Sequence, residues 1–201
     1  KLKGGVRCVK LNEDGLMIEK DSKGMCTMKI GKNGEEWVEA KEKGAVEING
    51  AESVSKVERG EIISINEKGN HSERFAPAED SAMCSMEYVY FARPDSDIDG
   101  INIHMARKRC GKRLASEMKI EADVVTGVPD SSISAAIGFS EESGIPYELG
   151  LIKSRYVGRT FIQPSQELRE QGVKLKLSPV RQVMNGKRVV LVDDSIVRGT
   201  T

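Results

Sequence analysis

Lys187-Arg188-Val189-Val190-Leu191-Val192-Asp193-Asp194-Ser195-Ile196-Val197-Arg198-Gly199-Thr200-Thr201 is the stretch that decides the fold class. Val189 to Val192 is an unbroken aliphatic run, the pattern of a strand buried on both faces in a parallel sheet. Asp193 and Asp194 stand where that strand ends, and open α/β sheets bind ligands at the carboxyl ends of their strands. Arg198, Gly199, Thr200 and Thr201 add a guanidinium, two hydroxyls and a backbone freed by glycine, a set able to surround a phosphate monoester. Acceptors for sugar hydroxyls thus precede donors for a phosphate, the arrangement that a ribose 5-phosphate presents.

Working outward, Ala122 to Pro129 reads as a second strand entering a loop. Asp130-Ser131-Ser132 precedes Ile133, Ala136 and Ile137 at helical spacing, so these residues either cap a helix or hold an anion at its start. Gly144-Ile145-Pro146 ends that helix, and Tyr147 to Ile152 begins a further strand. Lys153-Ser154-Arg155-Tyr156-Val157-Gly158-Arg159-Thr160 is rich in donors and continues to Val173 as a long polar segment, and long loops in compact domains are often lids. Lys174, Lys176 and Arg181 are assigned to solvent. Ile101 to Met118 reads as a helix with Ile103, Ala106, Leu114 and Met118 on one face. Arg107, Lys108, Lys112 and Arg113 fill its other faces and are expected in solvent. In Cys84 to Asp95, Tyr88 to Phe91 reads as a strand and Arg93-Pro94-Asp95 as a turn.

The first eighty residues alternate short apolar runs with turn residues. Val6–Leu11, Leu16–Glu19, Met25–Ile30 and Trp37–Ala40 read as strands, and Glu61–Ile65 with the turn after it suggests another hairpin. This β-rich module shows no chemistry of its own. The polar, proline-containing Phe75 to Asp80 places the domain boundary, giving 1–80 and 81–201.

The 201 residues carry 31 Lys plus Arg and 31 Asp plus Glu, so no net charge draws the chain to nucleic acid or an anionic membrane. No apolar run reaches the length of a membrane span. Cys8, Cys26, Cys84 and Cys110 form no Cys-x-x-Cys pair, which fits a reducing cytoplasm.

The Asp193–Thr201 run resembles the loop that binds 5-phosphoribosyl diphosphate (PRPP) in type I phosphoribosyltransferases. Cys84-Ser85-Met86-Glu87-Tyr88 is similar to a marked segment in a glutamine-dependent branch of that family. The fold this implies is α/β, an incomplete parallel sheet with flanking helices over 81–201. A β-rich, divergent remnant of an N-terminal-nucleophile glutaminase domain would precede it. In the implied reaction ammonia from glutamine attacks C1 of PRPP and gives 5-phosphoribosylamine, the first committed step of purine synthesis.

By resemblance, Asp193, Asp194, Lys153 and Tyr156 serve catalysis. Pro129, Asp130, Ser131, Ser132, Arg155, Arg159, Ser195, Arg198, Gly199, Thr200 and Thr201 bind substrate. Ser131, Asp193 and Asp194 meet Mg²⁺, and Cys84 matches a ligand of a [4Fe–4S] cluster. The partners implied are PRPP and glutamine-derived ammonia, with neither nucleic acid nor membrane, in a cytoplasmic homo-oligomer. The glutaminase signatures are weaker: Met25-Cys26 and Ala40-Lys41-Glu42-Lys43 replace the residues expected there. Cys8 is internal and lacks the free α-amine that an N-terminal nucleophile uses as base. No glutaminase activity is therefore expected of the chain by itself. The rival readings are a non-catalytic PRPP-binding remnant and another type I phosphoribosyltransferase.

Overall fold

The computed structural model describes residue 5, residues 7–154 and residues 174–196. Two compact units divide the chain, Lys1–Asn102 and Ile103–Thr201. The stretch from residue 81 to 102 thus lies in the first unit, after the proline-containing join.

In the first unit, β1 (Arg7–Asn12), β2 (Gly15–Lys20), β6 (Glu61–Asn66) and β7 (Gly69–Arg74) form an antiparallel sheet in the order β1-β2-β6-β7. Asn12 pairs with Gly15, so Glu13 and Asp14 make a two-residue hairpin turn. At Gly15 the φ is +126°, and a Cβ there would lie 2.1 Å from the Ile65 carbonyl oxygen, so the turn demands glycine. A second sheet, β4-β3-β5, comprises β3 (Lys29–Asn33), β4 (Glu36–Ala40) and β5 (Ser53–Lys56). Ile18, Ile63 and Ile65 of the first sheet pack with Met28, Ile30 and Val57 in one core. The alternation of apolar residues in β2 and β6 supplies that core face.

Three sequence expectations change here. The strand expected over Met25–Ile30 starts only at Lys29, because the Asp21 carboxylate accepts from the Lys23 and Gly24 amides and bends the chain first. Helix α1 (Lys43–Ile48) and strand β5 were not foreseen. Glu87–Phe91 is a π-helical turn rather than a strand, with the Ala92 amide bonded to the Glu87 carbonyl. Tyr90 and Phe91 are exposed, whereas Glu87 is buried and pairs with Lys41 at 2.6 Å. A charged residue inside and two aromatic residues outside reverse the burial that the apolar run suggested. The Arg93–Ser96 turn and the short pair β8 (Asp97–Ile98) and β9 (Ile101–Asn102) follow.

Lys41→Ala leaves the Glu87 carboxylate buried without its cation. Such losses cost about 3–5 kcal/mol for a fully buried pair, and partial exposure of Lys41 lowers the expectation to about 2 kcal/mol. Urea unfolding should show that loss, and Lys41→Ala with Glu87→Gln should cost less than Lys41→Ala by itself.

The second unit contains α2 (Ile103–Glu117), β10 (Val124–Gly127), α3 (Ile133–Ser143), β11 (Leu151–Lys153), β12 (Leu177–Pro179), α4 (Arg181–Met184) and β13 (Val189–Val192). Strands β10 and β13 are parallel, with Val125 beside Val190 and Gly127 beside Val192. Their α3-facing side packs with Ala115, Ala136 and Phe139. The opposite side is less covered: Leu191 is 44% exposed, so β13 is not buried on both faces as its aliphatic run suggested. Arg107 corrects another expectation, since it is buried rather than in solvent. Lys108 and Lys112 meet Glu141 of α3 at 2.5 and 2.9 Å. The base of the parallel pair is tied by Arg188, whose amide and guanidinium both donate to the Asp123 carboxylate.

Candidate functional site

The parallel pairing sets the ends of β10 and β13 side by side. Val128 N–H donates to the Val192 carbonyl at 2.9 Å, so the loop after β10 leaves beside Asp193. Gly127 has no room for a side chain: a Cβ would lie 2.8 Å from the Ser132 carbonyl oxygen and 3.0 Å from the Ala136 Cβ. The start of α3 can therefore settle directly on the strand end.

The Ser131 hydroxyl donates to Asp194 Oδ2 at 2.5 Å, and Ser132 Oγ lies 3.4 Å from Asp193 Oδ1. Residues more than sixty positions apart thus share one corner. Ser132 is the N-cap of α3, yet its side chain makes no capping hydrogen bond. The simple capping role is therefore not what its hydroxyl performs. The Pro129–Asp130 peptide is cis. Lys153, at the end of β11, places Nζ 2.5 Å from the Asp130 carboxylate. Ser195 donates to Asp194 Oδ1 at 2.8 Å.

Asp193 has a raised pKa. Partial burial of its carboxyl is the leading cause, the Asp194 charge adds to it, and the Asp194 N–H and Ser132 hydroxyl oppose it. A carboxyl raised in the folded state holds its proton where the unfolded chain, near pKa 3.9, has lost it. The resulting stabilisation is complete below the unfolded value and disappears as pH rises through the folded value. Asp193→Asn is neutral throughout and retains an acceptor, so at neutral pH it should stabilise the protein. The expected gain is about 0.5 kcal/mol, the scale of a solvent-screened charge contact. Thermal unfolding at pH 7 and at pH 3 tests this, and the advantage over the unsubstituted protein should shrink at pH 3.

The sequence-predicted residues Pro129, Asp130, Ser131, Ser132, Lys153, Asp193, Asp194 and Ser195 fall within one described region. Arg155, Tyr156, Arg159, Arg198, Gly199, Thr200 and Thr201 lie outside the described residues. Sequence reading missed Thr126, a buried hydroxyl one residue before Gly127 that accepts from the Gly150 amide at 2.9 Å. A threonine within a strand carries no signal that separates this role from ordinary β propensity.

A parallel strand pair whose carboxylates face the start of the following helix stands where open α/β sheets bind their ligands. No family model matches the chain. Over 200 residues it is 60% identical to the amidophosphoribosyltransferase of Bacillus subtilis strain 168, covering all of this chain and 42% of that protein. It is 49% identical over 202 residues to the amidophosphoribosyltransferase of Staphylococcus aureus strain Mu50, covering 41% of it. The solved glutamine PRPP amidotransferase of B. subtilis complexed with ADP and GMP matches 92% of this chain and 41% of its own, with TM-score 0.79 and 62% identity. A structure described as the allosteric regulatory enzyme of purine biosynthesis gives the same score and identity, with 40% of its own chain covered. Along its whole length the chain is similar to amidophosphoribosyltransferases, and it spans about two fifths of the length of the curated relatives it matches.

Proposed function

We propose that this chain supplies the PRPP-binding corner of an amidophosphoribosyltransferase, which joins ammonia from glutamine to C1 of PRPP and gives 5-phosphoribosylamine. The observation that carries the reading is the pairing of Ser131 with Asp194 and Ser132 with Asp193. Coordinates that set those carboxylates on a different side from Pro129 to Ser132 would have removed it.

In this reading Asp193 and Asp194 accept hydrogen bonds from the ribose 2- and 3-hydroxyls and fix the sugar. Bond breaking at C1 develops oxocarbenium character, and the fixed sugar keeps C1 open to ammonia on the face opposite the leaving diphosphate. The backbone and hydroxyls of Asp130, Ser131 and Ser132, at the start of α3, receive the diphosphate. Lys153, beside Asp130, offers its ammonium to the same group. Arg155, Tyr156 and Arg159 would continue that role from the lid and shut out water, which otherwise hydrolyses PRPP. Arg198 to Thr201 would hold the 5-phosphate.

The donor set suits Mg²⁺: two carboxylates and a hydroxyl, all hard oxygens. Among the described residues, no group of three or more His, Cys, Asp or Glu side chains is placed to hold a metal. Mg²⁺ commonly takes one or two carboxylates together with substrate phosphates. When bound it would neutralise charge on the diphosphate. A [4Fe–4S] cluster is different, because it needs four thiolates. Cys84 is a half-buried free thiol, and the described residues do not assemble a ligand set around it. They do not fit a cluster without further ligands, and no step here depends on one.

Lys1–Asn102 is read as part of the glutaminase-like domain together with the segment that leads out of it. The reading also carries a cytoplasmic homo-oligomer. Among the described residues, no helix is long and apolar enough to cross a membrane. The test is the protein extended to the full length of its relatives. Phosphoribosylamine formed from PRPP and either glutamine or ammonia supports the reading. PRPP bound without turnover would favour the non-catalytic remnant.

A further inference from the structure

We infer that Thr126 is a positioning residue that sets Lys153 for the diphosphate, an inference resting on the PRPP reading above. Thr126 lies in β10 on the face away from α3, and its side chain is buried. Its Oγ1 accepts the Gly150 N–H at 2.9 Å in a buried bond, and the same N–H is shared with the Glu148 carbonyl, also at 2.9 Å. Gly150 is held on its other side by its carbonyl, which accepts from the Val180 N–H at 2.8 Å. A Cβ at Gly150 would lie 3.0 to 3.1 Å from three atoms of the Thr126 side chain, so the two residues are in close contact.

Strand β11 begins at the next residue and ends at Lys153. Gly150 is thus the anchor from which three residues of strand carry an ammonium to Asp130. Strand β11 is paired along its length with β12, Leu151 beside Pro179 and Lys153 beside Leu177, so a shift at Gly150 passes to Lys153 through this two-stranded ribbon. Thr126 is adjacent to Gly127, on which the start of α3 packs. One strand end therefore fixes both the anion-facing helix start and, through its hydroxyl, the lysine across from it.

The experiment measures PRPP and ribose 5-phosphate binding with Mg²⁺ by calorimetry, using the protein extended to the full length of its relatives. Thr126→Val removes the acceptor at nearly constant volume and should weaken PRPP binding about tenfold, the loss of one charge-assisted contact. Ribose 5-phosphate, which lacks the diphosphate, should bind within about twofold of normal on the same contact reasoning. Thr126→Ser keeps the hydroxyl and should restore PRPP affinity. In a Lys153→Met background, Thr126→Val should cause no further loss. Should Thr126→Val fail to fold, Gly150→Ala, which crowds the same contact, takes its place in the cycle. Multiplicative losses from Thr126→Val and Lys153→Met would overturn the inference, as would equal losses for both ligands. If the unsubstituted protein binds ribose 5-phosphate but not PRPP, this inference falls while the sugar-phosphate corner stands. If it binds neither, the reading of the whole corner falls as well.

Discussion

Replacing Asp193 and Asp194 together by asparagine in the full-length protein is expected to abolish measurable PRPP binding. Each carboxylate can accept a charge-assisted hydrogen bond from a ribose hydroxyl, and hydrogen bonds to charged groups contribute about 1.5–3 kcal/mol. Losing two therefore weakens binding by about a hundredfold at least, and by about ten-thousandfold at the upper end. Asparagine retains the shape and one oxygen per side chain, so the hydroxyls of Ser131 and Ser132 keep an acceptor. The folded structure should survive and, because a partly buried charge and its like-charged neighbour are both removed, melt slightly higher than the unsubstituted protein. Affinity lost alongside stability gained is the signature of groups retained for a ligand rather than for the fold. Calorimetry with PRPP and Mg²⁺ reads the first effect and a thermal melt reads the second. Unchanged affinity would remove the sugar-binding role from both aspartates.

The candidate site was legible as a cluster because its residues sit at element ends, where sequence signals are strong. An aliphatic run followed by two aspartates marks a strand and its carboxyl end, and β13 pairs in parallel with β10. Asp130 to Ser132 before a helical period marks the start of α3, at Ile133. That the two ends share a corner was expected from the resemblance; neither run by itself carries the information. Other features depend on contacts that no local pattern records. Arg107 was assigned to solvent from helical periodicity, yet the face it occupies is buried. Tyr88 to Phe91 has the composition of a strand, but the ion pair between Lys41 and Glu87 accompanies a π-helical turn. Composition prices each residue singly, while burial of a charge is decided by a partner forty-six positions away in the chain. The hydroxyl of Thr126 was invisible for the same reason, since its partner is a backbone amide twenty-four residues on.

Gly138→Ala is expected to destabilise the second unit by about 3 kcal/mol or more, and two opposed effects decide the sign. In an exposed helix, alanine in place of glycine stabilises by about 1 kcal/mol. Against that, a Cβ at Gly138 would stand 2.0 Å from the carbonyl oxygen of Lys108 and 2.8 Å from its carbonyl carbon. Gly111 mirrors it, with a Cβ 1.9 Å from the Ala135 carbonyl oxygen and 2.7 Å from its carbon. Helices α2 and α3 thus cross with each glycine against the other's backbone, and backbone cannot swing aside as a flexible side chain would. Inserting carbon into a well-packed contact costs about 1–3 kcal/mol where side chains can yield, and here the helices themselves must separate. The steric cost therefore exceeds the propensity gain, and a fall in melting temperature of about 6–12 °C follows for a protein of this size. The consequence reaches the site, because α3 begins beside Ser131 and Ser132. A helix pushed off α2 carries those hydroxyls away from Asp193 and Asp194. Gly144→Ala is the control. Gly144 also departs from ordinary conformation, at φ +75°, but no atom lies within 4 Å of a Cβ there. Its cost should be about 1 kcal/mol, from the left-handed backbone without any clash. Melting curves of the three alanine variants separate the two causes. If Gly138→Ala and Gly111→Ala cost no more than Gly144→Ala, close backbone contact is not what sets the spacing of these helices.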